Sequence, residues 1–107
     1  MQWPIVCFDD DLYAYVLTET QFAGGYLEEA VLVELVASYD SSYRLVRIRL
    51  DGGPPIAVID SPQSEREGWR RHALLCLARH GRYIQSTVPL GDALSDEQLW
   101  WLLSALP

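Results

Sequence analysis

Three consecutive aspartates, Asp9, Asp10 and Asp11, stand between two apolar runs in the stretch CFDDDLYAY. One or two Asp side chains can close a turn on their own backbone, but a third adds repulsion and no further turn chemistry. Calcium is the first use to weigh. A loop of the EF-hand type places oxygens at alternate positions, a glycine sixth and a bidentate acid twelfth. Counted from Asp9, those two places hold Ala14 and Thr20, so no metal site is expected there. The two histidines, His72 and His80, fall on one apolar-periodic segment at a separation of about 12 Å, too far for a shared metal, which takes i, i+4 pairs. His80 precedes Gly81, a last-turn position where the helix dipole favours a cation. Cys7 and Cys76 lie in apolar runs without CxxC or metal-ligand spacing, which points to buried free thiols. The sequence has no GxSxG and no glycine-rich phosphate loop, and nothing orients a histidine against either cysteine. The expectation is a chain with no catalytic residue, no cofactor and no metal, and so not an enzyme.

Charge layout is the stronger signal. The 107 residues carry 15 acids against 8 bases, a net charge of −7, which disfavours nucleic acid, whose phosphates ask for a basic face. Residues 1–43 hold eight acids (Asp9, Asp10, Asp11, Glu19, Glu28, Glu29, Glu34, Asp40) and no base, net −8; residues 44–107 hold eight arginines and seven acids, net +1. A solvated acidic face is one reading, since halves of a sequence need not map onto halves of a surface. The other is an acidic patch built from Asp9, Asp10, Asp11, Glu28 and Glu29 and aimed at a basic partner; such patches raise association rates and select partners. Trp100 is a further partner-binding candidate. Adjacent helical residues point about 100° apart, so Trp100 and Trp101 cannot both face the core squarely, and tryptophan is enriched at binding hot spots. Half-buried packing of both is the alternative.

These residues need elements to hold them. WPIVCF and LYAYVL are β-favouring runs on either side of the aspartates and read as a hairpin with the triplet at its tip. In TETQFAGGYLEE, Thr18 and Gln21 form a capping-box pattern, and Phe22 and Tyr26 share a helical face; Gly24 and Gly25 weaken that helix and admit a Gly-Gly hairpin turn as a rival. In VLVELVASY, Val31, Val33, Leu35, Ala37 and Tyr39 alternate as one strand face. YRLVRIRL sets Val46, Ile48 and Leu50 against Arg47 and Arg49, a second strand antiparallel to the first. After DGGPP, IAVID reads as a third strand, its two-sided hydrophobicity suggesting a central position or cover on both faces. From Ser61 or Ser64, the spacing of Trp69, Ala73, Cys76, Leu77 and His80 predicts an amphipathic helix with Pro62 near its start and Gly81 at its stop. RYIQSTVPLGDAL reads as an extended connector. Ser95 and Gln98 then cap a last helix, with Leu94 and Leu99 as a staple and Leu99, Leu102, Leu103 and Leu106 as the buried stripe. The expected fold is one α+β domain over residues 1–107, an antiparallel sheet of about five strands with two to three helices packed against it.

The order CFDDDLYAYVLTETQFAGGYLEE, then VASYDSSYRLVRIRL, then a helix and LSDEQLWWLLSAL resembles small bacterial proteins identified as immunity proteins of polymorphic toxin systems. In those proteins a strand, an early helix ending in a Tyr-Leu-Glu-like step, a Tyr-Asp hairpin and two late helices follow in that order. The family has no shared catalytic motif to carry over. The resemblance implies a non-enzymatic inhibitor that occludes a toxin domain's basic cleft with its acidic face. The alternative is a structural or regulatory module that self-associates, as a homodimer for example, through VLVELV or the Trp100 region. The segment MQWPIVCFDDD lacks the basic start and unbroken apolar run of a signal peptide, and no run approaches the ~18 apolar residues of a membrane span. A cytoplasmic location and no membrane partner are expected.

Overall fold

Residues Ile5–Asp9 are buried at every position, which requires cover on both faces and a neighbour on each edge. In a computed structural model of the chain, which describes residues 1–81, 91 and 93–106, this segment (β1) is the second strand of a five-stranded sheet. Ala14–Leu17 (β2) returns antiparallel on one side, from Phe8 opposite Ala14 to Ile5 opposite Leu17. Leu35–Tyr39 (β3) lies on the other, with Val6 opposite Tyr39. Arg44–Arg49 (β4) and Ile56–Ser64 (β5) follow, giving the order β2-β1-β3-β4-β5 with every pair antiparallel. The chain passes from β2 to β3 through two short helices, Glu19–Ala23 (α1) and Glu29–Leu32 (α2). It ends with Arg66–His80 (α3) and Asp96–Ser104 (α4).

Alternation along β1 makes two cores. Val6 and Phe8 point to one face, where Tyr39, Trp69, Ala73, Cys76, Leu77, Leu99 and Leu102 pack from β3, α3 and α4. Ile5 and Cys7 point to the other, against Leu17, Phe22, Leu27, Leu32 and Val46. The α+β expectation is met, with helices on both faces of the sheet.

The expected elements differ from the observed ones where a signal was ambiguous. The strand predicted over Val31–Tyr39 is β3 only from Leu35 onward; Glu29–Leu32 is helical, so the described residues hold four helices rather than two to three. Residues 31, 32, 33, 35 and 36 are all apolar, a short run that periodicity alone cannot assign. Val33 and Val36 end up exposed. A bulge explains Val36: Phe8 faces Ala37 while Asp9 faces Leu35, leaving Val36 as the extra residue. The third strand of the meander is not central. β5 is an edge strand that runs on through Pro62 to Ser64, so α3 starts at Arg66, and Pro62 is tolerated because an edge does not need its N–H.

Both capping boxes form. Thr18 and Gln21 bond reciprocally at the start of α1, as do Ser95 and Gln98 at the start of α4. α1 stops at Gly24, and Gly25 takes φ +76, a left-handed conformation that glycine adopts without steric cost. Tyr26 is thereby thrown out of the predicted helical face and is exposed. Gly81 ends α3 for a different reason: a Cβ there would lie 2.7 Å from the Leu77 carbonyl oxygen. The connector predicted over residues 82–94 falls mostly outside the described residues.

Candidate partner-binding groove

The three aspartates have three different fates. Asp9 is buried at the end of β1, and its carboxylate accepts the backbone N–H of Asp11 and of Tyr13, both at 2.9 Å, and the Tyr15 hydroxyl at 3.2 Å. It is the turn's own closure. The turn also holds Leu12 at φ 61, a strained position for a branched side chain. Asp11 is not an uncompensated charge, because Arg79 at the end of α3 pairs with its carboxylate at 2.6 Å. His80 donates Nε2–H to the Asp11 carbonyl at 2.7 Å. Asp10 alone is exposed with no ion pair among the described residues.

Glu28 and Glu29 separate as well. Glu28 is the exposed residue before α2 and faces β2, whereas Glu29 turns toward Leu50, Gly52 and Pro55 at the β4–β5 loop. The Glu28 side borders the larger concavity, a groove of about 560 Å³. Its floor is the outer edge of β2, Tyr13 to Val16. One wall is Tyr26, Leu27, Glu28 and Val31, from the α1–α2 layer; the opposite wall is Leu103, Ser104 and Leu106, at the end of α4. The groove therefore continues the plane of the sheet beyond β2, with a helical layer on each side.

The electrostatics of this edge are acidic. Residues 1–43 contain no Lys or Arg, and they build β1, β2, α1, α2 and β3, so the sequence asymmetry becomes a spatial one. Glu19, Glu28, Glu29 and Glu34 are exposed on that layer without an ion pair among the described residues. Among the described residues the arginines lie in β4 and α3, and several are used: Arg44 on Asp40, Arg66 and Arg70 on Asp96, Arg79 on Asp11. Burial and the Asp9 carboxylate push the Tyr15 phenol up to about 12, with Glu34 adding to the rise. Tyr13 packs edge-on against both Tyr15 and the His80 ring, at 5.1 and 5.2 Å between centroids.

The tryptophans resolve unequally. Trp100 stacks on the buried Trp69 at 5.3 Å and packs against the core, while Trp101 is 68% exposed. Both border a shallow cleft with Pro4, Tyr43 and Glu97, which meets the β2 groove only at Ser104. The structure thus brings Glu28 to the β2 groove, leaves Asp10 exposed in the turn before β2, sets Glu29 and Trp100 outside the groove lining, and commits Asp9 and Asp11 to internal contacts. Sequence reasoning missed Tyr13, Tyr15, Val16 and Tyr26. The available signal was the strand AYVL, which has no charge or proline to protect an edge.

The other reactive groups make contacts within the fold. His72 Nδ1 lies 2.9 Å from the Gly68 carbonyl and 3.1 Å from the Tyr39 hydroxyl; a carbonyl only accepts, so Nδ1 carries a proton shared between the two oxygens. Cys7 and Cys76 are free and buried in opposite cores, and burial pushes their thiols up to about 11 and about 12. No three His, Cys, Asp or Glu side chains among the described residues gather as a metal site. No described helix is long and apolar enough to cross a membrane. No protein family, curated protein or solved structure matches the chain.

Proposed function

We propose that this chain is a non-enzymatic binding protein of the immunity type, acting in the cytoplasm, which neutralises a toxin by holding a basic part of it at the acidic β2 edge. The observation that supports this reading is the groove itself: a concavity within the size range of ligand sites, bordered by Glu28 and three tyrosines on a layer without a single base. Tyrosine supplies broad contact area at low entropic cost, and its ring face attracts cations. Unpaired carboxylates around it steer a basic partner and reject an acidic one.

The test is capture from the native host by the wild-type chain and by an Asp10→Arg, Glu28→Arg variant, with the bound proteins identified by mass spectrometry. The wild type should retain a basic domain that arrests growth when expressed alone and is silenced by co-expression of this chain. The double reversal should lower retention at least about tenfold at low salt, with a smaller difference at high salt. Equal retention by the two proteins would remove the groove from the reading.

A second reading has its own observation. Val33 and Val36 are 67% and 57% exposed, which leaves part of VLVELV free to bury itself against another copy.

A further inference from the structure

Among the described residues, the β2 edge has unspent backbone hydrogen bonds. Asp9 N–H donates to the Tyr13 carbonyl at 3.0 Å, which fixes Asp9 and Tyr13 as a hydrogen-bonded pair. Alternation in an antiparallel ladder then turns Tyr15 and Leu17 inward to β1, and Ala14 and Val16 outward. The Ala14 N–H lies toward the Cys76 thiol and lowers its pKa against burial, and the next outward residue, Thr18, has its N–H capped by Gln21. The Val16 N–H, the Val16 carbonyl and the Ala14 carbonyl are left facing the groove.

The two ends of the sheet are treated differently. The β5 edge carries Asp60 and Pro62, two of the devices that keep an edge from pairing with another chain. The β2 edge, AYVL, carries neither. Among the described residues, the helical layers overhang it on both faces without filling the space between them. An added strand would therefore enter in the plane of the sheet with its alternate side chains meeting opposite walls. One wall is apolar, Leu103 and Leu106; the other is Tyr26 and Glu28, with Asp10 at the end of the hairpin. A second copy fits poorly, because two-fold pairing of β2 with itself would set each Glu28 layer beside its own image.

We infer that the partner binds by strand addition: an extended segment with alternating cationic and small apolar residues pairs with Ala14 and Val16, its cations toward Tyr26 and Glu28 and its apolar residues toward Leu103 and Leu106. This rests on the acidic-groove reading and adds the mode of recognition, in which main-chain bonds give affinity and alternate side chains give specificity.

The probe is a short capped peptide of alternating Arg and Val, titrated into isotope-labelled protein up to about millimolar. Two control peptides accompany it, one with all central backbone amides N-methylated and one with Glu in place of Arg. Saturable shifts are expected at Ala14, Val16, Tyr26 and Glu28, with exchange of the Val16 amide slowed at least about tenfold. The methylated peptide should bind at least about tenfold more weakly. So should the plain peptide to Val16→Pro, a change that removes the outward N–H of an edge strand. If the methylated peptide binds the groove as tightly as the plain one, strand addition is wrong while the acidic groove stands. No saturable shift at the groove, or equal binding of the Glu peptide, overturns both. Concentration-dependent protection of Val16 without peptide would make a second copy the occupant and overturn the inference as well.

Discussion

Asp9 closes the β1–β2 turn with one carboxylate on two backbone amides and a phenol, so its removal leaves partly buried donors unmet. Asp9→Ala is expected to cost about 2 kcal/mol. Asp10→Ala, at an exposed site without an ion pair, should stay within about 0.5 kcal/mol. Urea midpoints measured on the two variants check this, and equal losses would mean that the turn is held otherwise. Asp40 makes a similar closure at the β3–β4 turn. Its buried carboxylate receives the backbone N–H groups of Gln2, Ser42 and Arg44 and the Arg44 guanidinium. Burial raises its carboxyl, but these bonds outweigh burial and hold it below the ordinary value of 3.8; Asp96 is likewise lowered, Arg66 and Arg70 overcoming its burial. Lowered acids make the unfolded chain bind more protons than the folded one near that value. The stability they contribute is therefore present above pH 3.8 and lost as pH falls through their depressed folded values. Asp40→Asn puts an amide among donors; it should cost about 3 kcal/mol at neutral pH and flatten the acid limb of the stability curve. An unchanged slope below that pH would assign the acid sensitivity to other groups.

The two capping boxes test how much a local motif matters to its element. α4 brings Leu99, Leu102 and Leu103 into the core, and its start is tied to α3 by Asp96 with Arg66 and Arg70. Ser95→Ala removes one bond to the Gln98 N–H and is expected to cost about 1 kcal/mol, a fall in Tm of about 4 °C or somewhat more. Thr18→Ala acts on a five-residue helix that buries only Phe22. It should cost less and free α1 locally, seen as faster amide exchange at Phe22 before global unfolding begins. A larger Tm loss from Thr18→Ala than from Ser95→Ala would reverse this ranking. On this ranking the α1–α2 layer is expected to be the looser wall of the groove, and α4 the firmer one.

At the scale of the whole molecule, a sheet with cores on both faces puts the two thiols on opposite sides of it, so they cannot meet in the folded protein. Both are expected to stay reduced and to resist thiol reagents until denaturant is added, since buried thiols with raised values present little thiolate. Rapid native labelling of either would place it outside its core. The charge layout bears on assembly too. A net charge of −7 with Glu19, Glu28, Glu29 and Glu34 exposed on one layer opposes self-association through that layer, so light scattering is expected to report a monomer. A stable dimer that Val33→Ser with Val36→Ser dissolves would instead favour the self-associating module.

Sequence alone settled what depends on neighbours a few residues apart. The Thr18 and Ser95 caps, the Asp9 turn, the alternation of β4 and the buried face of α3 each follow from local geometry, because helix and strand periods repeat over one or two turns. It also fixed that one half of the chain would carry only acids. Tertiary structure decided the rest through contacts between residues far apart in the chain. Arg79 and His80 meet Asp11 across 68 or more positions, which turned one of three like charges into an ion pair. Whether VLVELV was strand or helix depended on which side chains found a core, and the bulge at Val36 depended on its partner strand. The groove is assembled from β2, the α1–α2 turn and the end of α4. No local spacing encodes it, since an edge exists only once every other strand has found its place.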